Sequence, residues 1–240
     1  MKIAGEVKSI ALALGLVLVV RTVVAEPYTV PSPSMVPTLL VGDELIGAKF
    51  AYGYGKYSSP IGLMPDFDGR LFDKAPERGD VVVFRLPRDP SQTYVKRLIG
   101  LPGDRIQMRE GRLYINDTLV PRRQVGSYEG NALYVETLPA SSGAGGREHE
   151  ILEVSDAQSH DQTPVFVVPA RHYFMMGDNR DDSLDSRISA ANGGVGFVPE
   201  ENLVARADRL LLSRDTTVGW SDIHEWSHAF RLARFLGRID

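Results

Sequence analysis

The sequence predicts a mainly β fold preceded by one N-terminal transmembrane helix, and three observations predict it. An uninterrupted apolar run, Ile10 to Val20, lies near the start. Beyond it, short strand-like runs alternate with turn signals. Long helical periodicity is missing until the tail.

The helix comes first. Thr22 to Ala25 nearly extends the apolar run past Arg21, and Ile10 to Ala25 makes 16 residues, short of the roughly 20 a spanning helix needs. Arg21 would therefore snorkel toward the outer interface. Lys2 and Lys8 mark the cytoplasmic side, which puts everything after Glu26 outside. A cleaved leader is the competing reading, because Val23-Val24-Ala25 has the pattern that precedes a cleavage site. In either case the domain that follows is extracytoplasmic.

Strands are expected at Val81 to Phe84, Tyr94 to Ile99, Arg112 to Ile115 and Val165 to Val168. Arg112 to Val120 reads as a hairpin with Asn116-Asp117 at its turn, which also explains the glycosylation sequon Asn116-Asp117-Thr118. The polar, glycine-rich segment from Ser127 to Asp161 reads as loop-laden. Tyr52, Tyr54 and Tyr57 fall in a glycine-punctuated loop that suits either a membrane interface or a plain surface. In the tail, Ile223 to Ile239 sets Trp226, Phe230, Ala233 and Leu236 at helical spacing beside Arg231, Arg234 and Arg238. Such a basic amphipathic helix lies on an anionic membrane or packs against the β-domain.

Composition excludes several classes. The 240 residues are enough to bury a core, and a net charge of -4 with scattered basic residues leaves no footprint for nucleic acid. With no cysteine, disulfides, thiolate catalysis and cysteine zinc sites are excluded.

Three segments carry the chemistry. The first is Val30-Pro31-Ser32-Pro33-Ser34-Met35-Val36-Pro37-Thr38. The second is Tyr94-Val95-Lys96-Arg97-Leu98-Ile99-Gly100-Leu101-Pro102-Gly103-Asp104, and the third is Gly177-Asp178-Asn179-Arg180-Asp181-Asp182-Ser183-Leu184-Asp185-Ser186-Arg187. A serine hydroxyl needs a nearby base to take its proton. A lysine serves only when neutral, and desolvation is the usual way to make it so. Strand alternation sets Lys96 on the face of Tyr94 and Leu98 and turns Arg97 to the other, sparing Lys96 a close like charge.

In this order the three segments resemble the bacterial type I signal peptidases, from the apolar segment to about residue 207. The resemblance implies a serine endopeptidase of the Ser/Lys type, anchored in the bacterial cytoplasmic membrane with its catalytic domain on the outer, periplasmic face. Ser34 matches the family's nucleophile and Lys96 its general base. Ser183 matches the serine that orients the lysine, and Ser32 the oxyanion donor beside the Ser34 N–H. Asp185 and Arg187 match a structural ion pair, with Asp178 and Arg180 as similar scaffolding. The implied substrates are preproteins bearing signal peptides with small residues at an Ala-x-Ala site. They would lie as an added strand beside Tyr28 to Ser32 and Tyr94 to Lys96, with Val30, Pro31, Met35, Tyr94 and Val95 lining two shallow pockets for alternate side chains. Membrane lipid and proximity to the secretion translocon are implied as partners. No metal or organic cofactor is required.

The fold so implied is an antiparallel catalytic β-domain at 26–104 and 170–219, with an inserted β-rich cap at 105–169. The anchor occupies 1–25 and an amphipathic tail 220–240. Arg78 to Phe84 resembles another family box, read as a core strand. Two features depart from the family: Pro33 stands where many relatives have glycine or alanine, and Ser189 to Val195 lengthens a link near the site.

Other readings compete. His224-Glu225-Trp226-Ser227-His228 matches the zinc-protease pattern, yet zinc needs a third ligand and no His or Glu follows His228. His149, His160 and His172 have no supporting motif as upstream ligands. A Ser-His-Asp triad through His172 lacks surrounding signals. The self-cleaving repressors also pair Ser with Lys but lack an anchor. A non-catalytic anchored chaperone would need neither Ser34 nor Lys96.

Overall fold

The computed structural model describes residues 2–59, 69–141, 145–219, 224 and 229–240. It begins with helix α1 (Lys2–Val23), whose apolar side chains face outward on every side, Leu12 being 76% exposed. Among the described residues no helix is long and apolar enough to cross a membrane. Glu6, Lys8 and Arg21 confine its charge-free stretch to 9–20. The helix also ends earlier than the 1–25 anchor expected, because Ala25 already pairs with Ala48. Its foot is tied down: Tyr54 Oη donates to the Val23 carbonyl at 2.8 Å and Arg21 to Glu26 at 2.9 Å.

Among the described residues fourteen strands follow: β1 (Ala25–Thr29), β2 (Asp43–Ala48), β3 (Val81–Leu86), β4 (Asp89–Gly100), β5 (Arg105–Arg109), β6 (Arg112–Ile115), β7 (Thr118–Leu119), β8 (Arg122–Tyr128), β9 (Asn131–Pro139), β10 (Gly146–Glu153), β11 (Phe166–Val167), β12 (His172–Met176), β13 (Val198–Pro199) and β14 (Leu203–Ser213). A seven-stranded antiparallel sheet runs β1-β2-β14-β3-β4-β12-β13. All strands between residues 105 and 167 belong to two smaller sheets, β10-β9-β8 and β11-β5-β6-β7. The mainly β, antiparallel class expected from the sequence is therefore the one found.

Alternation explains the core. Along β3, Val81 and Val83 pack with Met35, Leu39 and Leu45 on one face, while Val82 and Phe84 pack with Leu98 and Met175 on the other. A strand buried on both faces reads as a continuous apolar run. A third cluster, with Ile99, Met108, Leu138 and Phe174, joins the large sheet to the smaller ones. The β6–β7 turn has Asn116 at φ 53° and Asp117 at φ 62°, the left-handed pair that a two-residue hairpin demands.

Three expectations are corrected. The segment 127–161 holds two long paired strands, β9 and β10. Their charged side chains hide the pattern, while ladder hydrogen bonds and buried ion pairs hold them. Tyr52 is a core residue, its hydroxyl donating to Asp80 at 3.0 Å. The tail helix does not run to 239: Phe230 bridges Arg214, Arg238 bridges Arg209, and Ile239 enters the core. Arg234 donates to Asp43 at 2.6 Å, strapping this segment to the sheet. Trp226 lies outside the described residues.

Candidate active site

Ser34 sits in a single 3-10 turn, Pro33–Met35, just past β1. Pro33 occupies the first position, where its fixed φ suits the turn and its missing N–H is not needed. Met35 anchors the turn in the core. From behind, the third segment grips it: the Asn179 N–H donates to the Ser34 carbonyl at 3.2 Å, Asn179 Nδ2 to the Pro33 carbonyl at 3.3 Å, and Thr38 Oγ1 to Asp178 Oδ2 at 2.6 Å. Gly177 permits this approach, because a Cβ there would lie 2.3 Å from Ser183 Oγ and 2.4 Å from the Ser34 carbonyl oxygen.

Lys96 pairs with Val82 in the centre of the sheet and is 3% exposed. Its ammonium is hydrogen-bonded to Ser34 Oγ, and Ser32 Oγ stands 3.2 Å from the same oxygen. The Tyr94 ring centroid is 6.0 Å from Nζ. Burial drives the Lys96 pKa down to about 8, against the opposing pull of Asp185 and Asp178. Both carboxylates are engaged by arginines, as follows.

Arg97, next along β4, is fully buried and binds Asp178 through two bonds of 2.8 Å, with its third nitrogen on the Gly79 carbonyl. Arg187 binds Asp185 at 2.9 Å and 3.0 Å. Burial opposes the Asp185 carboxylate, but Arg187 and the Gly177 N–H hold its pKa below the usual range. Arg180 forms a two-pronged pair with Glu136 of β9. The sequence reading foresaw the Asp185–Arg187 partnership but not Arg97 or Glu136 as partners of Asp178 and Arg180. Arg97 was placed only by strand alternation, and Glu136 lies in a segment read as loop.

Ser183 is buried beside Gly177, and its Oγ makes no hydrogen bond, so the bond expected to Lys96 is not formed. A cleft of about 580 Å³ opens over Ser34 and Lys96. It is lined by Tyr28, Val30, Pro31, Tyr94 and Val95, and also by Leu45, Val83, Gln92, Asp182 and Leu184. Met35 is not among them; it is fully buried. Leu184 is exposed and sits one residue after Ser183, a signal that an apolar side chain flanked by polar ones could have given.

Among the described residues no histidine lines this cleft. His224 is exposed, while Glu225 and His228 lie outside the described residues. His172 caps the start of β12 and contacts the Ala170 carbonyl at 2.9 Å. His149 is buried in β10 near Glu136, where burial and nearby arginines hold its pKa well below the ordinary value.

The signal peptidase family, peptidase S26, matches residues 3–212. Signal peptidase I of Rickettsia canadensis is 43% identical over 91% of this chain and 83% of its own. That of Rickettsia prowazekii is 40% identical over 98% of this chain and 93% of its own. A crystal structure of a signal peptidase I from Enterococcus faecalis matches 55% of this chain and 97% of its own, at 26% identity and a TM-score of 0.33. The chain belongs to the signal peptidase family, peptidase S26, and is a serine endopeptidase of that family.

Proposed function

We propose that this chain removes N-terminal signal peptides from exported preproteins, with Ser34 as nucleophile and Lys96 as general base. The observation that carries the reading is the buried hydrogen bond between Lys96 Nζ and Ser34 Oγ, with no carboxylate in ion-pair contact with the amine among the described residues. A neutral Lys96 takes the proton as Ser34 Oγ attacks the scissile carbonyl carbon. The oxyanion is met by the Ser34 N–H and the Ser32 hydroxyl. Lys96 then protonates the leaving amine, which departs with the mature protein. Water, deprotonated by the same lysine, hydrolyses the acyl-enzyme and frees the signal peptide. Ser183, buried with an unpartnered hydroxyl, is the candidate for steadying the lysine once Ser34 has given up its proton.

An extended substrate has two strand edges to join. β1 is the edge of the large sheet, and β12 pairs with β4 only from Arg97 onward, leaving the edge before it unpaired among the described residues. Main-chain bonds to these edges would place alternate side chains in the apolar cleft. The shallow floor of Leu45, Val83 and Val95 suits small residues.

Membrane anchorage belongs to the same proposal. Helix α1 exposes apolar surface all round, and Phe50, Leu71 and Phe72 are exposed in the segments around Tyr54, which bonds the helix foot. The catalytic domain would then sit on the outer face, close to emerging preproteins, with the strands of 105–169 as a cap.

The test is cleavage of an Ala-x-Ala preprotein by the detergent-purified chain. Product should vanish with Ser34→Ala and with Lys96→Ala and persist with a zinc-selective chelator. Cleavage that survives both substitutions and stops with the chelator would replace this reading with zinc catalysis.

A further inference from the structure

Behind the brace of the active site, three carboxylates from separate segments converge. Glu153 ends β10, Asp161 lies in the loop before β11, and Asp181 belongs to the segment that grips Ser34. Each offers an oxygen within 4.8 Å of the other two. In each group one oxygen is already committed. Glu153 Oε1 accepts from Arg122 at 3.1 Å, Asp161 Oδ2 from the Gln158 N–H at 2.6 Å, and Asp181 Oδ2 from the Val154 N–H at 2.6 Å. The second oxygens of Glu153 and Asp161 are buried with no hydrogen-bond partner, in residues only 1% and 2% exposed.

The positive charge nearby is shared with other carboxylates. Arg122 serves both Glu153 and Asp156, while Arg180 and Arg187 are engaged by Glu136 and Asp185. A buried carboxylate oxygen without a partner is costly, and three carboxylates gathered this closely add repulsion. Either a proton or a cation must answer it. We infer that Glu153, Asp161 and Asp181 form a divalent cation site of the calcium type, which staples the 177–187 segment to the β9–β10 sheet. All the donors are hard oxygens, and oxygens on a calcium shell of about 2.4 Å radius are never more than about 4.8 Å apart. Three protein oxygens leave the remaining positions to water. Magnesium, with a tighter and stricter octahedron, suits carboxylates spread over three segments less well.

Titration calorimetry of Ca²⁺ and Mg²⁺ into the chelator-stripped full chain in detergent tests this, alongside Asp161→Asn and the partly buried Asp181→Asn. One Ca²⁺ should bind per chain, more tightly than Mg²⁺, and each variant should weaken it on the order of ten-fold or more, in keeping with the dependence on ligand charge. Melting of Asp181→Asn without added cation should match wild type, which separates lost binding from lost folding. Absence of saturable Ca²⁺ binding to wild type would overturn the site in favour of the proton. So would tighter binding of Mg²⁺, or unchanged binding in both variants.

Discussion

Lys96 and Arg97 are neighbours on β4, equally hidden from water, and their surroundings differ in kind. Arg97 points into the brace behind the active site and holds Asp178 with two bonds, its charge fully answered. Lys96 points into the cleft and finds only the hydroxyl of Ser34. A third buried cation, Lys49, is answered by Glu26 at 2.6 Å and by the Ser58 carbonyl, so that burial lowers its pKa while Glu26 pulls it back up. Burial with a counter-ion makes a cation a fixture, whereas burial without one makes it a base. The drop in the Lys96 pKa from 10.5 to about 8 corresponds to about 3 kcal/mol of disfavoured charge. The unfolded chain keeps a proton that the folded one has lost between those two values. This cost is therefore full below about pH 8 and fades as pH rises toward 10.5.

The strongest way to break the comparison is to remove the base or nucleophile. Ser34→Ala and Lys96→Ala should each lower preprotein cleavage on the order of 10⁴-fold or more, since members of such a unit fail together, while circular dichroism stays unchanged. Exchanging the two cations for a neutral side chain of similar length should separate structure from chemistry. Arg97→Met should destabilise the protein by about 3 to 5 kcal/mol in urea unfolding, because Asp178 is left charged and buried. Lys96→Met should leave stability equal or higher, because no partner is orphaned. Equal losses in the two variants would refute the distinction.

Smaller effects sharpen it further. Gly177→Ala should cost about 1 to 3 kcal/mol of stability and slow cleavage, because the new methyl must displace Ser183 or the Ser34 turn. Cleavage rate against pH should climb about ten-fold per unit below pH 8 and level off above it, following the neutral fraction of Lys96. Pro33→Ala should change stability by less than about 1 kcal/mol and leave cleavage nearly intact, as no N–H at this position is used.

Much of this was legible in the sequence because it is local. Val81-Val82-Val83-Phe84 announces a strand covered on both faces, and Asn116-Asp117 announces its turn. Strand alternation alone separates Lys96 from Arg97. The joining of Ser34 to Lys96, 62 positions apart, became legible only through the family resemblance. What stayed hidden depends on distant partners. Glu136 looks like any charged residue until Arg180 is folded against it, and Gly146-Arg147-Glu148-His149-Glu150 conceals β10 because its ladder is held by main-chain bonds rather than by an apolar face. Met35, expected in the cleft, is carried into the core by the one-turn helix. The tail's helical spacing gave way after residue 229 to bridges with β14 and to the Arg234–Asp43 pair.

The central claim is that burial without a counter-ion in contact lowers the Lys96 pKa to about 8, so that a working fraction of the amine is neutral. The chain has six lysines, few enough for each side chain to be followed by carbon-13 NMR through a pH titration, with Lys96→Met identifying the resonance. A Lys96 midpoint near 8, with the exposed lysines near 10.5, is the predicted result. A Lys96 midpoint indistinguishable from the exposed lysines would contradict the claim, since a protonated ammonium cannot take the proton of Ser34.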